Sequence, residues 1–138
     1  MGLVDSHCHL GGEGFAEDRG AALGRAWEAG LSHVVVIGES EASADVALAL
    51  AAAEPRVSVV VGTHPHDAGR WDDAAEARLR ALAADPRVVA LGEMGLDYHY
   101  DHAPRDVQRA VFARQLALAE EWGKPVVIHA READDDVA

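Results

Sequence analysis

Eight histidines in 138 residues are more than packing alone calls for, and six of them fall in three short clusters: His7-Cys8-His9, His64-Pro65-His66 and His99-Tyr100-Asp101-His102. On an extended chain, side chains two apart leave the same face. His7 and His9 therefore project together, while Cys8 points the other way. Two converging imidazoles are unfavourable unless they are protonated, hydrogen-bonded or share a cation. Imidazole combined with carboxylate suits zinc, manganese or iron. Glu93 and His129, each at the end of an apolar run further along, add a carboxylate and a third imidazole of the same kind. Three histidines and one glutamate suffice for one divalent ion, or for half of a two-ion site. The plainer alternative is that His7 and His9 are hydrogen-bonded core histidines.

Five β-branched runs must position these groups: Leu3–His7, His33–Ile37, Val57–Val61, Val88–Leu91 and Val126–His129. Four of them are nearly continuous apolar stretches, the pattern of strands covered on both faces in a parallel sheet. Alanine-rich segments with helical spacing lie between them, at Ala16–Gly30, Ala42–Glu54, Asp72–Ala84 and Arg105–Trp122. Pro55, Pro86 and Gly123-Lys124-Pro125 provide stops. Val107, Val111, Leu116, Leu118 and Trp122 lie on or near one stripe of the last helix. This alternation implies right-handed βαβ crossovers, compatible with a doubly wound sheet or a (β/α)8 barrel. A barrel takes about 250 residues, so the chain supplies five strands, four helices and the opening of a fifth helix at Asp134-Asp135-Asp136. The expectation is one domain over residues 1–138 from a truncated frame, with strands six to eight missing.

Chemistry in parallel α/β proteins gathers at the C-terminal strand ends. His7, His9, His64, Glu93 and His129 satisfy that rule, whereas His33 opens its strand at the opposite end. Lysine and arginine total 12 against 24 acids, a net charge of −12, which argues against a basic nucleic-acid clamp or an anionic-membrane surface. No apolar run is long enough to span a bilayer, and the N-terminus does not read as a signal peptide. Cys8, the one cysteine, suits a reducing, cytoplasmic compartment.

Taken in order, Asp5-Ser6-His7-Cys8-His9-Leu10, Gly62-Thr63-His64-Pro65-His66, Gly92-Glu93-Met94-Gly95-Leu96-Asp97-Tyr98 and Pro125-Val126-Val127-Ile128-His129-Ala130-Arg131 closely resemble the TatD deoxyribonuclease family, one of the amidohydrolase-like barrels. The resemblance implies an α/β TIM-type (β/α)8 barrel of which only the first part is present. It also implies a metal-dependent hydrolase that cleaves DNA phosphodiesters with a metal-activated water. His7, His9, Glu93 and His129 match the family's metal ligands, and two divalent ions (zinc, manganese or magnesium) are implied for the complete site. His64 matches a pocket histidine facing substrate phosphate, and Arg131 lies where it could meet a phosphate oxygen. A further histidine and a catalytic aspartate are expected beyond Ala138. Alternatives are another ester or amide at the same metals, such as an aminoacyl-tRNA ester, or a non-catalytic half-barrel that self-associates through open sheet edges.

The remaining residues have plainer expectations. His66, His99 and His102 read as loop residues, Tyr98 as a possible part of the pocket wall, and Asp97 as a brace for the loop that follows it. Asp5 is expected to accept from a ligand imidazole or to bond within the barrel layer. Trp27, Trp71 and Trp122 read as packing, and Cys8 as buried and inert.

Overall fold

The computed structural model describes residues 2–138. In chain order the elements are β1 (Leu3–Cys8), α1 (Arg19–Glu28), β2 (Leu31–Gly38), α2 (Glu41–Ala53), β3 (Val57–Val61), α3 (Asp73–Ala83), β4 (Val88–Asp97), α4 (Arg105–Trp122), β5 (Val126–Arg131) and a short α5 (Asp134–Val137). Short 3₁₀ helices occupy Glu13–Phe15 and Pro65–Arg70. Each helix begins or ends within three residues of its expected position. Ser40 and Ser43 form a capping box on α2, Asp72 caps α3, and Gly123 closes α4 in the left-handed region.

All four strand pairings are parallel, and the order is β1-β2-β3-β4-β5. This order decides between the two architectures. A doubly wound sheet reverses direction at a switch point, whereas strands that add in chain order without reversal are the course of a barrel wall. Packing agrees with the topology. Val34, Val36, Val57, Val59, Val61, Leu91, Met94 and Leu96 share one core with Leu23, Ala47, Leu79, Phe112 and Leu118 from the helices. The opposite face holds a cluster made of strand residues alone, namely Ile37, Val60 and Ala90 with Val35 and Val127. Helices thus cover one face and the curled inner face is lined by strands. Each fully buried valine or leucine contributes roughly 1.5–3 kcal/mol.

The same turn is used twice to enter a strand. In Glu54-Pro55-Arg56-Val57 and Asp85-Pro86-Arg87-Val88 the acid accepts the arginine's backbone N–H and also clasps its guanidinium. Proline stops the helix, and the ion pair fixes the approach to β3 and β4. The Arg56 guanidinium also covers Trp27, and Arg80 covers Trp122. The three tryptophans pack against the main core as expected.

Three expectations are corrected here. β4 does not stop at Leu91 but runs on to Asp97, so Glu93 stands within the strand. The buried face of α4 centres on Gln108, Val111, Phe112, Gln115, Leu118 and Ala119, leaving Val107, Leu116 and Trp122 at its flanks. Cys8 points toward the helices but is only half-buried, with its thiol directed at the Val35 carbonyl. Burial pushes that thiol up to about 11 and keeps it protonated. Among the described residues, no helix is long and apolar enough to cross a membrane.

Candidate metal centre

The centre assembles in the C-terminal halves of the strands and just beyond them, from the residues the sequence singles out. His7, at the end of β1, and His9, just beyond it, bring their Nε2 atoms within 3.2 Å of each other. The Glu93 carboxylate lies 3.5 Å from His7 Nε2 and 4.0 Å from His9 Nε2. Its other oxygen is 3.1 Å from His129 Nδ1. The loop after β1 is held by Arg19, whose guanidinium donates to the carbonyls of Leu10 and Gly12.

Two glycines determine how Glu93 reaches the inner face. Gly92 and Gly95 have φ of +140° and +144°, and the β4–β5 register slips between Leu91 and Met94. A Cβ on Gly92 would lie 2.3 Å from the Val127 carbonyl oxygen, and one on Gly95 would lie 2.0 Å from that of His129. Only glycine permits both this dihedral and this approach. The irregularity brings Glu93 toward the histidines although Leu91, Met94 and Leu96 pack on the helical side. β1 has a similar slip, with Asp5 paired to Val34 and Cys8 to Val36, three residues against two. Strict alternation is broken there. Asp5 accepts the backbone N–H of His7 and does not brace an imidazole, which corrects both expectations for it.

Asp97 closes β4 and is only 1% exposed. Its Oδ1 accepts the backbone N–H groups of His99 and Tyr100, so it does brace the loop as expected. Its Oδ2 lies 2.8 Å from His66 Nε2 and 3.0 Å from His129 Nε2. Burial opposes ionisation of Asp97, but the Tyr100 amide and the two imidazoles outweigh it and hold the carboxyl well below the usual range. An ionised carboxylate only accepts, so both Nε2 atoms must carry protons. In the neutral ring, His129 Nδ1 is then a lone pair facing Glu93. Two acceptors 3.1 Å apart are compatible with a shared cation and, in its absence, need a donor between or beside them.

His64 supplies such a donor. The His66 backbone N–H donates to His64 Nδ1, which places the proton of the neutral ring on Nε2, 3.3 Å from His129 Nδ1. Burial and the neighbouring His129 and His66 push His64 down to about 4, so the ring is neutral at pH 7. Loop positions are equally well fixed by two buried glutamines from α4. Gln115 bonds both the N–H and the carbonyl of Thr63, and Gln108 bonds both those of Asp97. A buried polar side chain seven residues from another on an apolar helix face is the sequence signal for these clamps.

The histidines and acids converge as two triads that share one residue. The ligand atoms of His7, His9 and Glu93 lie within 4.8 Å of one another, as do those of His64, Glu93 and His129. The nitrogens of His7, His9 and His129 with a common carboxylate are a suitable donor set for divalent cations, while His64 presents an Nε2–H toward them. Reading the sequence did not identify Glu39, whose carboxylate is 3.3 Å from His9 Nδ1. Its position directly after β2 was the available signal. His66 lies in the 3₁₀ turn with its ring in the cluster. Arg131 ends β5 beside Asp97 and lies over the Tyr100 ring, 4.8 Å from its centroid. Tyr98 is not pocket wall. Its hydroxyl donates to Asp136, and Arg105 covers its ring. His99 pairs with Glu132 on the exposed rim, and His33 bonds Ser58, away from the site.

A family model described as TatD related DNase matches residues 4–138. Similar curated proteins include a 3′-5′ ssDNA/RNA exonuclease TatD from Enterobacter lignolyticus (strain SCF1), 42% identical over 133 residues, covering 96% of this chain and 51% of that protein. The uncharacterized metal-dependent hydrolase YabD of Bacillus subtilis (strain 168) is 37% identical, covering 98% of this chain and 53% of its own length. Among solved structures, YJJV, a TatD homologue from Escherichia coli K12, superposes with a TM-score of 0.88 at 31% identity, over 98% of this chain and 53% of that one. A TatD family hydrolase from Entamoeba histolytica superposes at 0.90 with 20% identity, over 99% of this chain and 52% of that one, a likeness of fold. The chain spans about half the length of the curated relatives it matches.

Proposed function

The chain belongs to the family of TatD-related DNases, and from that membership we propose that it forms the metal-binding part of a hydrolase that shortens single-stranded DNA or RNA from an end. The observation that carries this reading is Glu93, set between two groups of imidazoles with one carboxylate oxygen toward each. His7 and His9 with Glu93 would hold one divalent ion, and His129 Nδ1 with Glu93 a second. Zinc, manganese and magnesium are the candidates. When bound, the ions supply a nucleophilic water at neutral pH and positive charge against the developing oxyanion.

The chain's own residues orient and select. Asp97 holds the His129 ring with Nδ1 toward the centre. His64 directs an Nε2–H at the space beside His129, a donor suited to a phosphate oxygen and not to a cation. Arg131 supplies a guanidinium for a neighbouring phosphate. An overall charge of −12 disfavours wrapping duplex DNA. A strand end reaching a locally cationic centre meets less repulsion, because salt screens the rest beyond about 10 Å. The cytoplasm, where nucleic acid meets a reduced Cys8 thiol, is the proposed compartment.

The test is to load the complete hydrolase, of which residues 1–138 form the metal-binding part, with Mn²⁺, Mg²⁺ or Zn²⁺ and present end-labelled single strands, duplexes and an aminoacyl ester. Shortening of the single strands, abolished by EDTA and by Glu93→Gln, is the expected result. Metal binding with hydrolysis of the ester alone would move the activity to another bond. Metal binding with no hydrolysis would refute the catalytic reading.

A further inference from the structure

Beside the centre, on the loop after β4, lies a group of rings that the metal chemistry does not use. Tyr100 and His102 are parallel to within 2°, with centroids 5.6 Å apart. His66 stands nearly perpendicular to both, 5.6 Å from Tyr100 and 4.5 Å from His102. Tyr100 is 50% exposed and belongs to none of the three apolar clusters. Arg131 lies over its ring. The neighbouring acids are engaged elsewhere, Glu132 with His99 and Asp101 with Arg105. Among the described residues no carboxylate pairs with Arg131. An uncompensated guanidinium over an exposed aromatic ring, in a chain carrying twice as many acids as bases, is arranged for an anionic ligand that also has a flat face.

The platform is also close to the chemistry. His66 is bonded to Asp97, which holds His129, and the His66 and His129 rings are 6.1 Å apart. Successive bases along a strand rise about 3.4 Å. A strand with one phosphodiester at the metal centre therefore has its adjoining bases within reach of Tyr100 and His102. From this we infer that Tyr100 and His102 form a stacking site for the nucleobases next to the scissile bond, with Arg131 on the intervening phosphate. The inference rests on the nuclease reading and deepens it. Stacking is indifferent to base identity because every base has a π-face, so such a site selects single strands without selecting sequence. A duplex, whose bases are already stacked on each other, cannot use it.

The experiment measures binding in EDTA, where no cleavage occurs, by fluorescence anisotropy of a labelled five-nucleotide single strand. A second strand of the same length is abasic at its two terminal positions. The native protein should prefer the intact strand by at least about 5-fold, the effect of one stacked base. Tyr100→Ala should lose most of that preference while binding the abasic strand as the native protein does. Tyr100→Trp should retain it, which separates stacking from a loop that has merely lost its shape. Arg131→Ala should weaken both strands alike and lower the salt slope by about one. A Tyr100→Ala protein with the native preference would overturn the stacking site. So would a native protein that shortens single strands with metal yet binds intact and abasic strands equally, and in that case the nuclease reading survives. A native protein that neither binds nor shortens single strands would overturn both.

Discussion

Asp97→Asn is the substitution whose outcome the geometry determines most fully. The native Oδ1 accepts two backbone N–H groups at 3.1 and 2.9 Å, and Oδ2 meets two imidazole Nε2 atoms at 2.8 and 3.0 Å. Asparagine has nearly the same shape but only one accepting oxygen. The two amides sit in the loop that the side chain braces, so the oxygen stays with them. The NH₂ group then faces His66 and His129. Those Nε2 atoms must become acceptors, and the neutral His129 ring moves its proton to Nδ1. That is the nitrogen aimed at Glu93. The change therefore blocks a ligand without displacing any atom. Loss of such an orienting partner reduces metal affinity by about 10- to 100-fold, or about 1.4–2.7 kcal/mol. It should affect only the ion shared by His129 and Glu93, leaving the ion held by His7, His9 and Glu93 untouched. Calorimetric titration with Mn²⁺ or Zn²⁺ in a competing chelator reads both affinities. Two native affinities in Asp97→Asn would show that His129 does not depend on Asp97, and equal weakening of both would show general disruption.

Three further outcomes follow from the same structure. Saturating metal at about 100 times Kd should stabilise the fold by about 2.7 kcal/mol, raising Tm by roughly 5–15 °C, with EDTA reversing the shift; an unchanged melting curve would remove the cation from the centre. Gly95→Ala forces a Cβ against the His129 carbonyl at a φ of +144°; the strained dihedral alone costs about 1–3 kcal/mol, and the expected result is lower stability in urea together with loss of metal binding. Arg87 holds Asp85 down to about 2 from an ordinary 3.8. Because the folded value is the lower one, this stabilisation is complete above pH 4 and is lost as pH falls through about 2; the urea midpoint of Asp85→Asn should therefore decline less between pH 5 and pH 2 than that of the native protein.

The sequence by itself determined the parallel strand–helix alternation, since continuous apolar runs and helical stripes are local patterns. Together with the rule that chemistry gathers at C-terminal strand ends, it also brought out His7, His9, His64, Glu93 and His129. Pairing between strands determined the rest. The barrel-like course of the sheet follows from strand order, which both candidate architectures leave open in one dimension. Glu93 was expected after its strand but stands inside it, because Gly92 and Gly95 admit a slip that only the approach of β5 makes necessary. Asp5 lost its expected partner to a slip in β1, where counting by twos fails. Asp97, His66 and Glu39 join the histidines from elements far apart in the chain, and Gln108 and Gln115 reach in from a helix whose apolar stripe drew attention to its other residues. A side chain's type and face are set by near neighbours along the chain. Its partners are set by register between distant segments, and that information exists only once the strands have paired.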